Sequence, residues 1–263
     1  MRLFFLIICY LSLLKAEIYY AKLEPFEKYT IKSEVSGKVI FSDISKESLE
    51  ITNQKIIQID DELDNIELKS TIDRVGLLKQ SIEILKEQIV NEEISFKIKD
   101  ENYKSLKELT TKSKVQKDVE YFALINSKNQ LLNLKNQLVT LNSQLNELNY
   151  KIAVLNDRIK NKKIFVKSGF INKIFVKDGD FVNIGTALLD IYDTSKAKLQ
   201  FFISLDDLKN IDLKKIYMND NLIDIKPSKI YKVADDEKLS SYKVELILNK
   251  PAIFSELVKI EIK

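Results

Sequence analysis

From Leu124 to Ile159 the apolar residues of this 263-residue chain keep a fixed rhythm. Leu124, Leu131, Leu134, Leu138, Leu141, Leu145, Leu148, Ile152, Leu155 and Ile159 follow at steps of three and four after a first step of seven. That is the a/d pattern of a coiled coil, held for about five heptads. The positions between are mainly Asn, Gln, Lys, Glu and Ser, and no Gly or Pro occurs between Leu77 and Ser168. A helix with one apolar stripe buries one face only, so this segment requires a partner.

A candidate partner precedes it. Leu68, Val75, Leu78, Ile82, Leu85 and Ile89 keep the same rhythm, which falters at Glu92 and resumes through Phe96, Tyr103 and Leu106. Between the stretches lies Leu109-Thr110-Thr111-Lys112-Ser113, rich in poor helix formers and good caps. Ser113 with Gln116 three residues on fits a capping box. The pattern predicts two helices, about 67–109 and 113–160, folded back as an antiparallel coiled coil with its tip near 109–113. Each arm would be roughly 65–70 Å long at 1.5 Å per residue. The second arm of the same chain is the partner at highest effective concentration. An intermolecular coiled coil and a helical bundle are the alternatives. The amide-rich remainder (Asn126, Asn129, Asn133, Asn136, Asn142, Asn146, Asn149) is either a solvated face or a surface for side-by-side packing of hairpins.

The flanks of this region repeat one another. At a constant offset of 132, Gly37 meets Gly169, Val39 meets Ile171, Ile44 meets Val176 and Leu49 meets Phe181. Ile56, Ile57 and Ile59 then meet Leu188, Leu189 and Ile191. A gapless repeat implies two copies of one supersecondary unit, and its short apolar runs with turn signals read as strands. Lys177-Asp178-Gly179-Asp180 is a tight turn and Gly185 marks a second. In the first copy Glu47 stands where Gly179 stands in the second, and Asn53 stands for Gly185. Asn visits the left-handed region at modest cost and Glu does so poorly, which predicts a first turn of different shape.

Composition narrows the chemistry. The chain has no His, one Cys, no Trp and five Gly. Without His there is no Ser-His-Asp triad and no zinc site of the usual N/S type. One Cys excludes an internal disulfide. Met1-Arg2, the apolar run Leu3 to Leu14 and Ala16 read as a signal peptide of residues 1–16, too short for a comfortable membrane span. An uncleaved anchor is the alternative. Cleavage would remove Arg2 and Lys15 from a net charge of +3, leaving no electrostatic case for nucleic acid. Gly179 and Gly185 lack the Lys-Ser/Thr of a phosphate loop. The acidic pairs Asp60-Asp61, Asp206-Asp207 and Asp235-Asp236 read as solvated capping residues.

The run from Gly169 to Ile191 resembles a biotinyl/lipoyl half-motif: strand, Gly-Asp turn, valine, Gly and closing strand. Two such halves split by a long α-hairpin, behind a signal peptide, resemble the membrane fusion proteins, the HlyD-like periplasmic adaptors of bacterial efflux and secretion systems. The likeness spans about residues 24–263. It implies an α+β chain whose split lipoyl-like β domain is interrupted by a long antiparallel helical hairpin, with a small C-terminal β-barrel. The parts would be a signal peptide (1–16), a strand added to the barrel (17–32), lipoyl half-motifs at 33–66 and 161–197, the hairpin (67–160) and the barrel (198–263). Gly37, Gly169, Gly179 and Gly185 would serve the lipoyl turns. Leu131, Leu134, Leu138, Leu141, Leu145, Leu148, Ile152 and Leu155 would form the coiled-coil seam.

Adaptors that dock on a TolC-like channel carry an Arg, a Leu four residues on, a Ser seven beyond and often an Asp five further. Asn102, Leu106, Ser113 and Asp118 fall at those spacings, with Asn102 in place of the Arg and its bidentate donor lost. Read locally, Leu106 is a seam residue and Ser113 an N-cap. Downstream, 198–203, 229–233, 242–248 and 258–262 alternate as strands, and 206–211 suits a short helix. The resemblance implies a non-catalytic protein with no cofactor. Its partners would be an inner-membrane transporter of ABC, RND or MFS type, a TolC-like outer-membrane channel, and further copies of itself in a ring, six in the family. The alternatives are a biotin/lipoyl carrier with a coiled-coil insertion, although no modifiable Lys motif stands at the junction, and a structural coiled-coil protein of the envelope.

Overall fold

The computed structural model describes residues 17–209, 211–233 and 241–263. The expected signal peptide and the Asp235-Asp236 pair lie outside the described residues. The chain divides into two compact units, residues 59–163 and the remainder.

The first unit is helical. Helix α1 (Glu62–Glu108) and helix α2 (Lys114–Asn161) pack against each other along their lengths. Cross-links fix the direction. Asp64 meets Arg158 at 3.2 Å, Glu67 meets Lys151 at 2.6 Å and Glu93 meets Lys135 at 2.8 Å, so one number falls as the other rises. The arms are antiparallel. Helix α1 starts five residues before the expected 67, because Asp60 accepts from the Glu62 N–H at 3.1 Å and Asp64 is drawn into the helix by basic partners on α2.

The a/d stripe behaves as a two-helix seam should. Leu131, Leu134, Leu138, Leu141, Leu145, Leu148 and Ile152 are half-buried, while the positions between them are exposed. Leu155 and Ile159 are buried, as are Val75, Ile82, Leu85 and Ile89 opposite. Two helices cover only one side of each knob, which explains the half-burial. The break in rhythm at Glu92 is a polar layer: the buried Ser127 hydroxyl donates to the Glu92 carboxylate at 2.5 Å. A polar pair inside an apolar seam fixes register, because any slip would strand both groups.

The second unit is all strands but for short helical turns. β1 (Glu17–Lys32), β2 (Gly37–Ser42), β3 (Glu50–Ile59), β4 (Lys163–Ile174), β5 (Phe181–Val182) and β6 (Ala187–Ile203) come first. β7 (Ile216–Met218), β8 (Asn221–Ile223), β9 (Lys229–Ile230), β10 (Tyr242–Asn249) and β11 (Leu257–Ile262) follow, with helix α3 (Leu205–Lys209) between β6 and β7. The strand order is β5-β2-β3-β4-β6-β1-β11-β7-β8, and β10 joins β6 to β9. β9 is shorter than the 229–233 expected, and β7 and β8 lack a clear alternating pattern in sequence.

The repeat is a structural one. The Asp43 N–H donates to Ile56 O at 2.9 Å, and the Phe175 N–H to Leu188 O at 2.8 Å, the same bond 132 residues on. Val39 and Ile171 are both fully buried, as are the pairs Ile56/Leu188, Ile57/Leu189 and Ile59/Ile191. The halves also clasp each other. Val39 donates to Asp180 O and accepts from the Gly179 N–H, at 2.8 and 2.9 Å. Ile171 donates to Leu49 O and accepts from the Ser48 N–H, at 3.0 and 2.8 Å.

These two clasps differ by one residue, and the turn explains why. Gly179 takes φ 96° in the second copy, but Glu47 keeps φ −58° and Ser48 takes the positive φ of 62° instead. A 3-10 turn at Ile44–Lys46 precedes the shifted position, and since both copies are equally long the shift is one of register within the turn. The Glu47 carboxylate is then free to accept from the Ile174 N–H at 2.7 Å. Asn53 and Gly185 both take positive φ, 48° and 87°. Gly37 needs no such freedom. Gly169 does: a Cβ there would meet Ile191 Cγ2 at 2.6 Å.

β1 and β6 run through the rest of the unit. β6 passes without interruption across residues 197 and 198, pairing β4 early and β10 late, with β1 alongside for most of its length. Phe201, Ile203, Val244, Leu246, Val258 and Ile260 head a second buried cluster in the C-terminal part.

Candidate functional site

The hairpin tip is built by its caps. Helix α1 ends as the Leu109 N–H turns back to Leu106 O at 3.2 Å. Helix α2 starts on a complete capping box. Ser113 Oγ accepts from the Gln116 N–H at 3.3 Å, and the Gln116 side chain accepts from the Ser113 N–H at 3.2 Å. Lys117 Nζ donates across the tip to Lys107 O at 3.0 Å, opposing the negative end of α1. One turn further in, the rings of Tyr103 and Tyr121 meet at a tilt of 44°, their centres 5.2 Å apart.

Of the four residues at docking-motif spacings, Leu106 is half-buried at the end of the seam, and Asn102, Ser113 and Asp118 are exposed. They do not converge into one cluster by hydrogen bond or ion pair among the described residues. Ser113 is committed to its cap. The solvent-facing apolar residues at the tip are others: Val115, Val119 and Phe122, each at least 60% exposed. Steps of four and three place them on one helical face. Leu109, between the helices, is also exposed.

Helix α1 carries a comparable stripe on its outer side. Leu63, Ile66, Leu77, Ile84, Ile94 and Ile98 are each more than half exposed. At 100° per residue they lie roughly opposite the seam, so α1 is apolar on two sides. On α2 the equivalent outer positions between the tip and Ser143 are Val115, Val119, Phe122, Asn126, Asn129, Asn133, Asn136, Thr140 and Ser143, with no charge. On α1 this outer face is broken at Ser70, Asp73, Gln80, Glu87 and Asn91, so its apolar residues recur at steps of three, eleven, seven, ten and four.

The helix ends far from the tip are locked by charge. Burial works against ionising Asp64, but the ammonium of Lys162 and the guanidinium of Arg158 outweigh it and hold its carboxyl below the usual range. Asp61 is likewise depressed, burial being outweighed by Lys163 at 3.1 Å and by Asn65. The acidic pair Asp206-Asp207 is divided: Asp207 is buried, accepts from Tyr19 at 2.7 Å and pairs with Lys214, while Asp206 reaches Lys209 at 3.4 Å. Among the described residues no cluster of acidic or sulfur side chains is arranged to hold a metal, and no helix is long and apolar enough to cross a membrane.

No protein-family model matches the chain, and no curated protein matches it by sequence. Solved structures do. A membrane fusion protein of Streptococcus pneumoniae R6, Spr0693, superposes with a TM-score of 0.65 at 9% identity, over 94% of this chain and 98% of that one. MacA from Actinobacillus actinomycetemcomitans gives 0.62 at 16% identity, over 95% and 79%. A putative efflux transporter from Bacteroides eggerthii gives 0.54 at 12% identity, over 94% and 68%. The chain has the fold of the membrane fusion proteins, an α+β architecture with a long helical hairpin and a β-sheet unit.

Proposed function

We propose that this chain, built on the membrane fusion protein fold, is a non-catalytic periplasmic adaptor that links an inner-membrane transporter to a TolC-like outer-membrane channel. Residues 33–66 and 161–197 act as a split lipoyl-like domain, without acyl or biotinyl cargo. Residues 198–263 with the 17–32 strand act as the small barrel. A signal peptide at 1–16 delivers the protein to the periplasm. The transporter's own energy source drives export, and the adaptor contributes geometry.

One observation carries this reading. The hairpin has satisfied its seam and still presents apolar stripes to solvent, along α1 and at the tip of α2. Large apolar side chains exposed along one face mark protein contact, here on α1 with Ser70, Asp73, Gln80, Glu87 and Asn91 interspersed. Copies packing side by side would cover the α1 stripe, meeting the uncharged outer face of α2. A channel would cover Val115, Val119 and Phe122 beside the motif positions Asn102, Leu106, Ser113 and Asp118. Crosslinking in cells from a cysteine placed at Lys112 or Lys114 tests the reading. Capture of an outer-membrane channel is the expected result. Capture of cytoplasmic proteins alone overturns it.

A further inference from the structure

A cleft in the β unit belongs to none of these partner surfaces. β4, β6 and β1 are adjacent in the sheet, and Phe170, Tyr192 and Lys28 stand opposite one another in their registers. Cross-strand partners project to the same face, so they form one row of ring, ring and ammonium. Lys28 Nζ lies 5.7 Å from the centre of the Tyr192 ring. Thr194, two residues along β6, continues this floor. The facing wall is Phe254 and Ser255, in the loop between β10 and β11. That loop is held by backbone: the Ser255 N–H donates to Leu23 O at 2.7 Å, and the Leu23 N–H donates to Glu256 O at 2.9 Å. Floor and wall enclose a cleft of about 480 Å³, with Lys22 at its rim. That is within the range of about 300–1,000 Å³ typical of small-molecule sites.

The lining is selective in charge. It holds two ammonium groups, three aromatic rings and no carboxylate. Of the nearby acids, Glu27 and Asp193 oppose each other one residue out of step with Lys28 and Tyr192 and project to the other face of the sheet; Asp190 shares the floor's face but accepts from Thr30 at 2.5 Å, and Glu50 accepts from Thr194 at 2.8 Å. Glu24 does reach Lys28, at 3.1 Å, and offsets part of its charge. Lys22 is exposed. Rings favour an offset-stacked planar body, and ammonium groups favour an anionic head.

We propose that this cleft binds a drug-sized amphipathic organic anion, its ring system laid between Phe254 and the Phe170–Tyr192 floor and its carboxylate or sulfonate held by Lys22 and Lys28. The probes are the fluorescent anion 1-anilinonaphthalene-8-sulfonate and its uncharged relative N-phenyl-1-naphthylamine, titrated into the full chain at low salt. The sulfonate should bind about tenfold more tightly than the neutral probe, and the double variant Lys22→Gln, Lys28→Gln should erase that difference. Phe254→Ala should weaken both probes. Ile84→Gln, on the outer face of helix α1, should change neither, and far-ultraviolet circular dichroism should be the same for all variants. Deoxycholate, a soluble amphipathic anion, should displace the sulfonate where phosphatidylglycerol vesicles do not. Equal affinity for the two probes, an unaltered sulfonate affinity in the double lysine variant, loss of binding on Ile84→Gln, or displacement by vesicles alone overturns the proposal. The measurement needs neither transporter nor channel, so its failure would leave the adaptor reading untouched.

Discussion

The seam is graded, and that grading is measurable. Leu155 is 2% exposed at the end of the hairpin far from the tip, whereas Leu141, on the same stripe, is half-buried, and Leu132, off the stripe, is 50% exposed. Truncating a buried Leu to Ala costs about 2–5 kcal/mol, through lost transfer energy and the cavity left behind. Leu155→Ala should therefore cost about 3 kcal/mol, Leu141→Ala about half of that, and Leu132→Ala under about 0.5 kcal/mol. Nearly all the helix in the described residues lies in α1 and α2, of 47 and 48 residues, so ellipticity at 222 nm reports this unit almost alone. Urea titration of dilute protein followed at 222 nm is the assay. With a slope of about 1.5 kcal/mol/M, the midpoint should fall by about 2 M for Leu155→Ala and about 1 M for Leu141→Ala. A midpoint unchanged in Leu155→Ala would refute an intramolecular seam. So would a Leu132→Ala effect as large as that of Leu155→Ala, since burial would then not be what holds the arms together.

Other perturbations probe other parts. Leu141→Asp should lower helicity as well as stability, because it places an unpaired carboxylate in the seam; circular dichroism checks it. Asp64 has a depressed carboxyl in the folded state, so its contribution is fully present above the unfolded value of about 3.9 and is lost as pH falls through the folded one. Asp64→Asn should cost about 1–3 kcal/mol at pH 7 and flatten the acid limb of a stability-against-pH curve for the helical unit. Ser113→Ala should cost about 1 kcal/mol and raise amide exchange selectively over the first turn of α2. Gly169→Ala combines φ 143° with a 2.6 Å approach to Ile191, and should destabilise the β unit by more than Gly179→Ala, where the added methyl meets open space, in parallel thermal melts.

Much of this was legible in the chain because short-range periodicity reports one-sided burial. The step of three and four from Leu131 to Ile159 marks the face that α1 covers, and the Ser113/Gln116 pair marks the cap that starts α2. The 132-residue offset was legible for the same reason: Ile56/Leu188 and Ile57/Leu189 keep their pattern because both copies bury the same face. The helix start at Glu62 was not, since it depends on Arg158 and Lys162, almost a hundred residues away. The outer stripe on α1 was visible as apolar residues, but only the position of α2 decides that Leu77 and Ile84 face water. The slip at Ser48 was hidden because Glu47 finds its hydrogen bond with Ile174, on a strand beyond the hairpin.

Sequence by itself determined the local grammar: where the chain is helical, where it doubles back, and which two segments are copies of one strand-turn-strand unit. These follow from periodicity and turn chemistry, which act over a few residues. Tertiary structure alone decided what meets what. It brought Val39 to Gly179 and Ile171 to Ser48, ran β6 unbroken from one core into the next, and set Phe170, Tyr192, Lys28 and Phe254 around one cleft. Those juxtapositions join residues up to 226 positions apart (Lys28 to Phe254) through sheet register and backbone pairing, for which no local pattern in the chain carries a signal.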